Sequence, residues 1–264
     1  MKWQEEEVLV IVKAYPNPSA KYGETVCTAG ITKDSKWIRL YPITYRDLPR
    51  AKRYEKFQWI KVKVTSSNEK LQRPESHKVD PSSIALLNKI PHGSGWKERM
   101  KYFMPIVKSS LEEILDENNK HKISLGAFKP KSVKDFIIEN DPENWTVKQI
   151  AALEQRTLFG QRKTTLEKIP YKFRYKFTCD NEKCRGHDMQ SFDWELYQSY
   201  RRFKDTYKDE ELTKERLRDK WLKYFFTKRV SYFVVGTDSR WDKFMILSIV
   251  SPERRTGQMT LFSL

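Results

Sequence analysis

The chain has 264 residues, with 51 Lys and Arg against 35 Asp and Glu, giving a formal charge of +16 and a pI near 9.6. Eight Trp, thirteen Tyr and fourteen Phe beside only nine Gly exclude a disordered basic tail. No apolar run approaches the roughly 18 residues of a membrane span, and three unevenly spaced Cys exclude a disulfide framework, so a reduced, cytosolic protein without membrane association is expected.

The first 67 residues read as β. Residues 8–12 form an apolar run stopped by Pro16 and Pro18, residues 25–29 a second run, and residues 36–41 a third after a turn-like Asp34-Ser35. Residues 57–64 alternate, with Ile60, Val62 and Val64 on one face and Trp59, Lys61 and Lys63 on the other. Several short strands of this kind predict a small antiparallel sheet or partly open barrel. A polar link from Ser66 to Pro81 leads into a helical middle, with helices starting at Ser82, at Ser109 and at Thr146. In the C-terminal third, residues 171–177 alternate aromatic and basic side chains, which predicts a strand. Leu196, Tyr200, Phe203 and Tyr207 fall at helical spacing, as do Leu217, Trp221 and Tyr224. Residues 232–235 and 244–250 read as two further strands. The order predicts an α+β fold: a β-rich module over 1–80, a mainly helical segment over 81–160, an α/β module over 161–252 and a flexible tail over 253–264.

Cys179, Cys184 and His187 carry the ligand types zinc prefers, in one short loop between a strand and a helix, where Gly186 permits a tight turn. They predict a zinc knuckle, with Asp188 or Cys27 as candidates for the fourth ligand and Asp180 as a further one. Four protein ligands would make such a zinc structural, since a catalytic zinc keeps an open position.

A charge excess of this size attracts polyanions through phosphate contacts and counterion release, which makes DNA the expected partner and RNA the alternative. The basic face of the 171–177 strand, Lys172, Arg174 and Lys176, continued by Arg185, Arg201 and Arg202, is one candidate phosphate track. The loop with Arg46, Arg50, Lys52 and Arg53 is a second.

Catalytic candidates are sparse. Asp193 and Glu195 flank Trp194 at a helix start, and two residues apart on a helix their side chains diverge by about 200°. An acidic first turn facing the helix dipole accounts for them more simply than a shared magnesium ion. His77 is a conceivable acid–base group with no visible partner. No phosphate-binding glycine loop, dinucleotide fingerprint or Gly-flanked nucleophilic Ser is present, so the enzyme alternative is a magnesium-dependent nuclease of a repair or phage-defence type.

The last seven residues begin with Gln258-Met259-Thr260-Leu261-Phe262, preceded by a polar stretch. This resembles the pentapeptide by which many bacterial DNA polymerases, repair proteins and mobile-element proteins hold the replication sliding clamp. The resemblance implies that Gln258 bonds at the rim of a pocket on the clamp while Met259, Leu261 and Phe262 fill it, and that the protein works in bacterial DNA replication, repair or phage defence.

Overall fold

The computed structural model describes residues 2–66, 73–93, 96–158, 166–237 and 243–254. The apolar run at 8–12 lies in a long strand, β1 (Gln4–Lys13), buried on both sides. Val8 and Val10 point into one core and Leu9 and Ile11 into another, which is why the run is continuous rather than alternating. A short hairpin, β2 (Asn17–Ser19) and β3 (Gly23–Thr25), precedes β4 (Thr28–Ile31) and β5 (Trp37–Tyr41). Then follow β6 (Gln58–Ser66), β7 (Ser76–Val79) and β8 (Ala85–Lys89).

Strand β1 pairs antiparallel with β4 and with β6. Strands β4 and β5 are antiparallel, β5 and β7 parallel, and β7 and β6 antiparallel. The circuit β1-β4-β5-β7-β6-β1 closes a five-strand barrel with the strand order found in OB-type barrels, and β8 is added beside β6. Its interior is filled by Val8, Val10, Ile38, Leu40, Ile60, Val62 and Val64, joined by Tyr45 and Tyr54. Close approach of β4 to β1 requires Gly30, where an added Cβ would stand 2.3 Å from the Leu9 carbonyl oxygen.

The helix expected from Ser82 is a short 3₁₀ turn, Pro81–Ser83, capped by Asp80 and followed by β8. Ile84 and Leu86 pack on the barrel interior while Leu87 packs on the opposite core. That two-sided burial suits a strand, and pairing with β6 satisfies the backbone of a segment too short for an amphipathic helix.

The middle of the chain carries three of the five α-helices among the described residues: α1 (Trp96–Phe103), α2 (Leu111–His121) and α3 (Val147–Leu158). Its strands β9 (Val107–Lys108), β10 (Leu125–Phe128) and β11 (Ser132–Asn140) join a second sheet, so the 81–160 stretch is shared between the two sheets. The C-terminal third adds β12 (Tyr171–Thr178), β13 (His187–Ser191), α4 (Trp194–Tyr207) and α5 (Glu210–Arg218). Helix α5 widens into a π-helical stretch, Asp219–Lys228, before β14 (Tyr232–Thr237) and β15 (Phe244–Val250). The second sheet runs β11-β12-β13-β15-β14-β10-β9.

The fold is therefore α+β, an N-terminal barrel followed by a helical middle and a C-terminal α/β module. One core lies between barrel and sheet, where Leu9, Ile11, Ala29, Ile31 and Trp59 meet Leu125, Ala127, Val234 and Leu247. Besides this one and the barrel interior, a third core lies under the helices, where Tyr171, Phe173, Tyr175 and Phe177 of β12 meet Leu196, Tyr197, Tyr200 and Trp221. A polar latch crosses the first core. The buried Arg39 guanidinium donates to the carbonyls of Thr237 (3.0 Å) and Ser124 (3.1 Å) and to Ser124 Oγ (3.0 Å). Buried Glu75 accepts from the Ser124 amide (2.8 Å) and its hydroxyl. Among the described residues no helix is long and apolar enough to cross a membrane.

Candidate metal centre

Strands β12 and β13 form a hairpin whose connection, residues 179–186, is the cysteine-bearing loop. Asn181 shapes it, its Oδ1 accepting the Lys183 amide (2.9 Å) and its carbonyl the Cys184 amide (3.0 Å). Gly186 adopts φ +92°, which returns the chain into β13 with His187 opposite Phe177. Helix α2 starts beside this loop. Its cap, Ser110, accepts the Glu113 amide (3.3 Å) and is bonded by Asn181 Nδ2 (3.2 Å).

The cap places Glu112 in the first turn of α2, facing the loop. One ligand atom from each of Glu112, Cys179, Cys184 and His187 lies within 4.8 Å of all the others. His187 Nε2 is 2.8 Å from Glu112 Oε1 and 3.4 Å from Cys184 Sγ, while Cys184 Sγ accepts the Cys179 amide at 3.1 Å. Bond lengths of 2.0–2.3 Å to a tetrahedral ion imply ligand separations of about 3.3–3.8 Å, so to close on one ion the wider pairs must draw in, while His187 Nε2 and Glu112 Oε1 must part slightly and give up the proton between them. The second Glu112 oxygen is buried without a hydrogen-bond partner among the described residues. Burial, with lesser contributions from Glu112 and Cys184, pushes the Cys179 thiol up to about 12. A buried thiolate there calls for a cation beside it. For Glu112, burial raises the carboxyl, but hydrogen bonds with its own amide, His187, Cys184 and Ser110 outweigh it and hold the group below its ordinary value.

The loop trio expected from the sequence thus comes together, and the fourth member is one the sequence reading missed. Asp188 is committed elsewhere, its two oxygens taking Arg174 Nε (3.0 Å) and the terminal nitrogen (2.7 Å). Asp180 pairs with Lys131 (3.0 Å). Cys27 belongs to the barrel, where Arg39 approaches its sulfur at 3.5 Å. Glu112 stands 67 residues before Cys179, and only the helix start expected at Ser109 hinted at a carboxylate held in a fixed place.

The basic candidates separate into paired and unpaired groups. Arg174 bridges Glu139 (2.7 Å) and Asp188, Lys172 pairs with Asp141 (3.0 Å), and Arg201 pairs with Glu167 (3.0 Å). On the basic face of β12, Lys172 and Arg174 thus pair with acids on or beside β11 and β13, whereas Lys176 takes no part. In the barrel loop Arg46 pairs with Glu24 (3.0 Å), and Arg53 donates to the carbonyls of Leu48 (2.9 Å) and Arg46 (2.8 Å). Lys52 donates to the Ser82 carbonyl. Arg50, Lys176, Arg185 and Arg202 are exposed and have no ion-pair partner among the described residues.

Of the carboxylates considered for catalysis, Asp193 and Glu195 both approach the Lys56 ammonium, at 3.8 and 3.6 Å. Asp193 is buried and caps α4, one oxygen accepting the Glu195 amide and the other the Ile249 amide, each at 2.7 Å. Burial raises its carboxyl above the ordinary value against the opposing charge of Lys56, 3.8 Å away. The Glu195 side chain is about half exposed and lies 3.6 Å from Lys56. His77 Nδ1 faces the Glu75 carbonyl at 3.1 Å, with no carboxylate partner among the described residues. The peptide with Gln258, Met259, Leu261 and Phe262 lies outside the described residues.

A family model described as a domain of unknown function (DUF8757) matches residues 107–264, more than half of the chain. The chain belongs to the DUF8757 family. A second model, also described as a domain of unknown function (DUF8758), matches residues 4–105. The junction falls where α1 gives way to β9, so the DUF8757 part contains the second sheet and all four cluster residues, and the first part contains the barrel. No curated protein matches the chain.

Proposed function

We propose that the cluster holds a structural zinc ion and that the chain is a DNA-binding protein, kept near replication or repair intermediates by its C-terminal peptide. Two thiols, an imidazole and a carboxylate form a complete protein ligand set for zinc, and a set without an open position serves architecture rather than catalysis. The ion would fasten the β12–β13 hairpin to the start of α2. The tethering part rests on the sequence resemblance of the terminal peptide. A weak clamp contact and a weak DNA contact joined by a linker reinforce each other through high local concentration.

The observation that carries the nucleic-acid reading is the net charge of +16. The ion pairs of β12 and the barrel loop account for part of the Lys and Arg content. Arg50, Lys176, Arg185, Arg202, Lys204 and Lys208 remain exposed and unpaired among the described residues. The test is fluorescence anisotropy of labelled single-stranded DNA, duplex DNA and RNA across a salt series. Contact with six or more phosphates gives an affinity that falls by about three orders of magnitude between about 50 and 200 mM salt. A salt-independent affinity, or none, defeats every polyanion reading, and a preference for RNA redirects it. Deleting residues 257–264 is expected to abolish capture by a sliding clamp and leave DNA affinity in place.

A further inference from the structure

A second site lies where the hairpin β2–β3 and the end of β1 meet the second sheet. A cavity of about 290 Å³ opens there, at the lower end of the range for small-molecule sites. Tyr15, Trp145, Phe192 and Tyr197 give it aromatic walls, and the amides of Asn17 and Gln190 line it beside them. The walls are rigidly held. Tyr15 stacks on Tyr197 with centroids 4.2 Å apart, and its hydroxyl donates to the Glu167 carbonyl (2.9 Å) while accepting from Arg201 (2.6 Å). The Trp145 indole N–H donates to the Leu166 carbonyl (2.8 Å). At the rim, Lys168 (2.5 Å) and Lys172 (3.0 Å) both bind the single carboxylate of Asp141, which leaves one positive charge in excess.

Flat rings, amide groups that both donate and accept, and a surplus cation at the mouth match one ligand chemistry. A nucleobase stacks on aromatic side chains and is read by hydrogen bonds along its edge, and its 5′-phosphate seeks a cation. We infer that this cavity binds a single nucleotide, with the base against the half-buried Trp145 ring, the Gln190 amide on its edge and the phosphate near Lys172, while the buried Tyr15–Tyr197 stack forms the cavity's back wall. The inference deepens the nucleic-acid reading and rests on it for the source of the base, a polymer, although the same pocket would also take the free nucleotide.

Calorimetric titration with the four deoxynucleoside 5′-monophosphates, and with deoxyribose 5-phosphate as a baseless control, tests the pocket without any polymer. At least one nucleotide is expected to bind saturably and about tenfold or more tighter than the control. The Trp145→Ala and Gln190→Leu variants are expected to lose that margin; two variants are used because Trp145 also braces the 166–169 segment. Equal binding of nucleotide and control, or unchanged nucleotide affinity in a Gln190→Leu protein that retains its thermal unfolding midpoint, overturns the inference, even where DNA binding persists. A duplex with one 2-aminopurine then separates the sources. A fluorescence rise on protein binding that Gln190→Leu removes assigns the pocket to an extruded base, whereas nucleotide binding without that rise assigns it to the free nucleotide. Nucleotide binding by a protein that ignores DNA would end the polymer reading and leave the pocket standing.

Discussion

Arg39 is the residue on which the joint between barrel and sheet depends most. Its guanidinium serves two carbonyls and a hydroxyl in a buried place, and Glu75 completes the arrangement through Ser124. Removing one member of such a network leaves the others buried and unsatisfied. Arg39→Met is therefore expected to cost about 3–5 kcal/mol in urea unfolding, and an unchanged midpoint would refute the latch. At Gly30 the expected loss on substitution by Ala is about 1–3 kcal/mol, because the new Cβ meets the Leu9 carbonyl rather than a side chain that can turn aside. Asp141 gives a pH prediction. Burial raises its carboxyl, but hydrogen bonds and charge from Lys168 and Lys172 outweigh this and hold the group below its ordinary value. A depressed carboxylate adds stability that is complete above the unfolded-state pKa, near 3.9, and is lost as the pH falls through the lower folded value. Asp141→Asn should thus be about 1 kcal/mol less stable than wild type at pH 7, with the difference closing in acid; a constant difference across the range would contradict this.

At the scale of elements, what the sequence made legible is what depends on local periodicity. The alternation of 171–177 and the spacing of Leu196, Tyr200 and Phe203 correspond to β12 and α4, because burial against one core repeats along a single strand or helix face. Ser82 misled, since a helix-starting residue type also suits a 3₁₀ turn and the decision belonged to β6, more than a dozen residues away. The ion pairing of the basic face of β12 was hidden for a related reason. Its acidic partners Glu139, Asp141 and Asp188 lie on or beside neighbouring strands whose register no local pattern gives. The metal loop was legible as three residues, while Glu112 was hidden because a helix N-terminus contributes it from a distance. At the start of α4, Asp193 acts as a cap that also grips β15. Asp193→Ala is expected to lower stability by about 2–4 kcal/mol, combining a lost cap with an unsatisfied buried amide; a nuclease reading would instead require a stable, inactive variant.

For the whole molecule, the placement of the barrel matters most. The outer face of β4 and β5, the second and third barrel strands, is the face on which OB-type barrels bind oligonucleotides, and here Ala29 and Ile31 bury it against the second sheet. With that face covered, the surfaces left for the proposed polyanion contact are the exposed cations of the barrel loop, β12, the knuckle and α4, or the aromatic cavity between the β2–β3 hairpin and the second sheet. The two sheets share a core and a polar latch, so they should unfold together in one transition. Chelation of a structural ion removes the tie between hairpin and α2 and is expected to lower the thermal midpoint by several degrees or more. The most direct measurement is the metal content of the purified chain by inductively coupled plasma mass spectrometry, for wild type and for Glu112→Ala and Cys179→Ser. About one zinc per chain in the wild type, and a clear loss in both variants, is the expected result. A wild-type protein that takes up no stoichiometric metal after incubation with zinc, and unfolds at the same temperature with and without chelator, would contradict it.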